Sequence, residues 1–164
     1  MRQSLAAAAI ACLCLAFAAI AVTNALAGTK TTYAGTGTTD PKMSVELTRN
    51  GAKIPHFKVK ALRYHCDNGQ SYRSLFSVGG KARVLLGGGF NYPGSIAVQQ
   101  GGDFAYHHTI VDRDQGQTVA RLHVRVSGQF TGRSSVSGHV KEIRNIIPQH
   151  RKCTGKAHWS ATKT

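Results

Sequence analysis

The feature that most constrains this chain is a period-two alternation of apolar and polar side chains. It recurs from Met43 to Ala161 and is broken at short intervals by glycine-rich turns. Successive side chains on a strand point to opposite faces, so this pattern marks half-buried β-structure rather than helix. The clearest stretch places Ala120, Leu122, Val124 and Val126 on one face and Arg121, His123 and Arg125 on the other. Residues 56–66 carry Phe57, Val59 and Ala61 in one phase and Leu62, Tyr64 and Cys66 in the next. That phase switch predicts a bulge at Ala61-Leu62. Asp67-Asn68-Gly69 then turns the chain into 70–78, which reads as a hairpin.

Further strands are expected at 82–86, 95–99, 103–111 and 135–147, with a last one from Cys153 carrying Ala157, Trp159 and Ala161 on one face. Gly101-Gly102 reads as a hairpin turn between the second and third of these. Gly128 and Gly132 frame another turn around Phe130. No helical stripe competes. The expected fold is all-β, an antiparallel β-sandwich of about eight short strands.

Ahead of this domain the composition changes twice. Residues 1–27 hold Arg2, an apolar run and a small-x-small triplet ending at Ala27, the layout of a cleaved signal peptide. A lipid-bearing cysteine is the alternative for Cys12 or Cys14. The first lies too early in the apolar run, and the second follows Leu13 where a small residue is wanted. Residues 28–42 are rich in Thr and Gly and read as a flexible linker, leaving 43–164 as the domain. No membrane span is expected after cleavage, so the localisation expected is secreted, extracellular.

Two cysteines remain in the mature chain. In an oxidising compartment Cys66 and Cys153 predict a disulfide closing a long loop, worth about 4–5 kcal/mol in the chain-entropy treatment. Trp159 is expected beside it. A zinc site from His65, Cys66, Cys153 and His158 fares worse, because His65 and Cys66 diverge on a strand.

The segments KALRYHCDN (60–68), SGQFTGRSSVSG (127–138) and CTGKAHWSA (153–161) resemble small secreted β-domains found in high-GC bacteria. The shared residues are turn glycines, cysteines and a tryptophan. The resemblance implies fold and export and brings no activity.

Catalytic motifs are scarce. There is no Gly-x-Ser-x-Gly elbow, and Asp112 and Asp114 flank a turn, where Asp caps the backbone. His139, Glu142 and Arg144 are the residue types of a cationic ribonuclease, but His139 and Glu142 face opposite ways on a strand, whereas Glu142 and Arg144 share a face and suit a charge pair. His107-His108 diverge likewise, so neither a metal nor a cofactor is expected.

What remains is charge. The chain has 21 Lys and Arg against 7 Asp and Glu, and loss of Arg2 takes the net from +14 to +13. Such a domain is drawn to polyanions. The face expected to bind comprises Arg121, Arg125, Arg133, Lys141, Arg144, Arg151 and Lys152. Few aromatics interleave with these cations, which argues against sequence-specific nucleic-acid reading. The expected function is a non-enzymatic module that binds anionic extracellular or envelope polymers. A small secreted hydrolase of nuclease type and a purely structural or protein-interaction domain are the alternatives.

Overall fold

A computed structural model describes residues 29–85 and 88–164; residues 1–27, expected to be a signal peptide, with Cys12, Cys14 and the expected cleavage point, lie outside them. Eleven strands are present among the described residues: β1 (Thr31–Gly37), β2 (Ser44–Asn50), β3 (Lys53–Cys66), β4 (Ser71–Val78), β5 (Arg83–Leu85), β6 (Gly89–Tyr92), β7 (Ile96–Ala97), β8 (Asp103–Asp114), β9 (Gln117–Thr131), β10 (Ser135–Ile146) and β11 (Arg151–Lys163). They form one sheet in the order β5-β6-β4-β3-β2-β1-β11-β10-β9-β8, with β7 pairing β3. The chain is therefore all-β, but the expected sandwich of about eight antiparallel strands is replaced by one mixed sheet, in which β4 and β6 run parallel.

The sheet forks. β3 pairs β2 as far as Lys60 and then pairs β11 at Tyr64, His65 and Cys66. β11 in turn leaves β3 after Gly155 and pairs β1 from Trp159 onward. The β1–β2 hairpin is thus wedged between two diverging strands. The stretch expected to be a flexible linker is in part β1, paired on both sides. Small Thr and Gly residues suit that site, because a Cβ on Gly35 would meet the Ser160 carbonyl oxygen at 1.9 Å.

The bulge falls where β3 changes partner. Val59 faces Phe76 while Leu62 faces Ser74, so one residue is extra on β3. Ala61 takes it up with φ 57°, a left-handed backbone that costs a residue with a Cβ about 1–2 kcal/mol. Its effect is to keep Phe57, Val59, Leu62, Tyr64 and Cys66 all buried on the same side despite the phase switch.

The two ends of the sheet share one interior. Rings run through it from Tyr92 and Phe76 to Phe57, then Trp159 at 5.5 Å, then Phe104 at 6.3 Å. Trp159 therefore packs between Phe57 and Phe104 and not at the disulfide, six residues away along an extended strand. Gly128 and Gly138 face each other across β9 and β10 and floor this region. A Cβ on the first would come within 2.5 Å of the Phe104 ring, and on the second within 2.9 Å of Trp159. The turn expected around Phe130 falls instead at 132–134, opened by Gly132: β9 runs on past Gly128 and through buried Phe130 to Thr131. The expected 95–99 strand shrinks to Ile96–Ala97, which pairs β3, and a single Val98–Phe104 bridge joins it to β8. Cys66 and Cys153 sit directly opposite in the β3–β11 ladder and are disulfide-bonded, with Cα atoms 3.9 Å apart.

Candidate functional site

Strand β10 sorts its charges by face. Lys141 and His139 point outward and are exposed, whereas Glu142 and Arg144 point into the interior. Glu142 is fully buried and accepts hydrogen bonds from the Tyr64 hydroxyl, from the Tyr92 hydroxyl at 2.7 Å and from the Arg144 guanidinium at 3.2 Å. Arg144 also donates to the Ser74 hydroxyl at 3.2 Å and the Gly88 carbonyl at 3.1 Å, and lies over the Tyr64 ring. Burial, then the Glu142 carboxylate, pushes the ionisation of Tyr64 and Tyr92 well above the usual tyrosine range. Burial works against the Arg144 cation, but Glu142 outweighs it and holds the proton more firmly than in a free guanidinium.

Arg144 is thus removed from the expected anion-binding face: it is 5% exposed and paired inside. The expected Glu142–Arg144 charge pair forms. The ribonuclease-like constellation is not assembled, since His139 lies on the far side of the sheet from Glu142.

The other six expected residues separate into two groups. Arg121, Arg125, Lys141 and Lys152 are exposed on the outer face of β9, β10 and β11. Arg133 sits at the β9–β10 turn, where its carbonyl accepts from Tyr33. Arg151 is half-buried and donates to Gln70 at 3.1 Å.

Register turns the first group into a surface. His107 lies opposite Arg125, Arg125 opposite Lys141, and Lys141 opposite Lys156. Directly opposed residues on antiparallel strands point the same way, so four basic side chains form a row across β8, β9, β10 and β11. Arg121, Asn145 and Lys152 form a second row, four residues along. On the other side of the first row His139 and His158 stand together, ring centroids 3.9 Å apart.

The first row ends at the fork, where Arg63 and Arg73, opposed on β3 and β4, join Lys141 and Lys156 around a groove of about 520 Å³. Thr39, Asp40, His65 and Thr154 complete its lining. Asp40 receives two hydrogen bonds from Arg73, at 2.8 and 3.1 Å, which hold its carboxyl below the ordinary range. Ion pairs among the described residues are Lys60–Glu46, Arg73–Asp40 and Arg144–Glu142, so Arg63, Arg125, Lys141 and Lys156 have no carboxylate partner.

Two properties bound the chemistry of this face. Every Phe, Tyr and Trp side chain among the described residues is buried or half-buried, so none of these rings stands exposed on the face as a stacking platform. Among the described residues no group of three or more His, Cys, Asp or Glu side chains comes together to hold a metal ion. His107 and His108 diverge, the former outward and the latter between Tyr92 and Tyr106.

Arg63, Arg73, His107 and Lys156 are missing from the face expected from sequence. Outward phase alone marks Arg63, between buried Leu62 and Tyr64, and Lys156, between Gly155 and Ala157. What places them beside Lys141 is the register of strands far apart in the chain. The chain matches no protein-family model, no curated protein and no solved structure.

Proposed function

We propose that this chain is exported and that its folded domain binds anionic polymers, without sequence reading, through the outer face of β8–β11. The observation that carries this reading is the row His107, Arg125, Lys141 and Lys156, in register and without carboxylate partners. Like charges directly opposed on neighbouring strands destabilise a sheet. A surface kept merely soluble needs charge, but it does not need that charge aligned strand by strand. The strand spacing of about 4.8 Å makes the row a nearly continuous positive line, suited to a chain-like polyanion lying across the strands. The buried aromatics favour recognition by charge alone, and the disulfide suits an oxidising compartment.

The test is retention of the purified protein on heparin and on isolated cell envelope across a salt series. Each neutralised anion releases bound counterions, so binding should fall steeply as salt rises. Arg125→Glu with Lys141→Glu should move elution to much lower salt, while Arg133→Glu, at the distant turn, should move it little. Retention indifferent to salt, or equal shifts from both changes, would overturn the reading.

A further inference from the structure

The groove at the fork differs from the row that leads into it. The row sets one basic side chain from each strand side by side, whereas the groove gathers Arg63, Arg73, Lys141 and Lys156 from four strands around one hollow. Two like-charge pairs frame it, Arg63 opposite Arg73 and Lys141 opposite Lys156. Its one carboxylate, Asp40, is already occupied by Arg73. The hydroxyls of Thr39 and Thr154 stand among the cations, with the imidazole of His65, whose Nδ1 lies 2.9 Å from the Ser71 hydroxyl.

The fork holds this arrangement in place. β3 and β11 are joined by the disulfide and three ladder positions, then part around the β1–β2 turn. That turn is pinned by the Thr38 N–H donating to the His158 carbonyl at 2.9 Å and by Arg73 on Asp40. The cations are therefore mounted on strands that are held side by side, and only the flexible ends of their side chains can swing apart.

We propose that this groove is a discrete subsite for a tetrahedral anionic group, a phosphate or sulfate ester, carried by the polymer that the outer face binds. The inference rests on that reading of the outer face and adds the chemical class of the bound group. Donors converging from four strands suit a group with oxygens in several directions better than a planar carboxylate. An arginine fork can meet two such oxygens at once. At about 520 Å³ the groove admits the group together with the residue that bears it.

The test uses thermal unfolding of the purified, disulfide-intact protein with inorganic phosphate, with sulfate, and with chloride at matched ionic strength. A ligand that binds only the folded state raises the midpoint in a saturable way. Saturable stabilisation by phosphate or sulfate beyond chloride is expected. It should weaken about tenfold or more in apparent affinity with Arg63→Gln or Lys156→Gln, a loss of about 1.4 kcal/mol or more. Lys53→Gln, at the far end of β3, should leave it unchanged. Preference for one anion names the ester. Equal stabilisation by all three salts would overturn the subsite. If heparin retention then still fell steeply with salt, only the subsite would be lost; if retention were flat as well, the reading of the whole face would fall with it.

Discussion

Lys141 and Arg144 lie three residues apart on one strand and meet opposite fates. Arg144 is enclosed, its charge paired with Glu142 and its remaining N–H groups donating to the Tyr64 hydroxyl, the Ser74 hydroxyl and the Gly88 carbonyl. Lys141 stands in water between Arg125 and Lys156, with cations on both flanks and no carboxylate of its own. The difference separates two uses of positive charge. Inside, a cation is tolerated only when paired and hydrogen-bonded, because desolvation costs several kcal/mol per ion. Outside, an unpaired cation costs little, and a whole row can be held ready for an external anion.

This contrast can be broken most directly by removing one partner on each side. Glu142→Gln leaves Arg144 buried without its counter-charge and should cost about 3–5 kcal/mol in denaturant unfolding. Lys141→Gln should cost less than about 0.5 kcal/mol, or raise stability by relieving Arg125 and Lys156. Similar costs for the two would mean that the interior pair is not what Arg144 depends on.

Reduction of Cys66–Cys153 comes next, with an expected loss of about 2–5 kcal/mol. It acts on the stability of the fork and not on the row, so the reduced protein, below its unfolding midpoint, should keep its salt-sensitive retention on heparin. Loss of retention without unfolding would show that the row depends on the bridge.

Tyr92→Phe removes one donor to Glu142 and should cost about 1–3 kcal/mol. It also sharpens the comparison through pH. Tyr64 and Tyr92 ionise higher in the folded than in the unfolded chain, so their contribution is complete below about pH 10 and is lost as pH rises further. Unfolding free energy should therefore decline on the alkaline side, less steeply in Tyr92→Phe than in the parent. The same pH slope in both would place the alkaline loss elsewhere.

The smallest effect is a gain. Ala61→Gly at the β3 bulge relieves a left-handed Cβ at some entropic cost and should stabilise by about 0.5–1 kcal/mol. A loss would mean that Ala61 packs better than its backbone suggests.

Much of the local structure was legible. The alternation at 120–126 assigns inward and outward faces as found, and the break at Ala61-Leu62 marks the bulge. The Asp67-Asn68-Gly69 turn and the cysteine pair are likewise readable. Arg144 was misread because it follows Glu142 by two in a strand whose neighbours include Lys141. A sequence does not reveal that Tyr64 and Tyr92, on other strands, are there to make that face habitable for charge. Residues 31–37 read as linker because they contain little to bury. They become a strand because a gap between β3 and β11 accepts small side chains and satisfies their backbone.

By itself the sequence determined most of the strands and turns, the cysteine pair and a large excess of positive charge, because these follow from local periodicity, turn residues and composition. The fork, the closed interior and the alignment of His107, Arg125, Lys141 and Lys156 were decided only by tertiary structure. Pairing register is set by which strands meet and where a bulge shifts them, and those contacts join residues as far apart in the chain as Tyr33 and Lys163. A one-residue slip would turn every cation of the row to the other face.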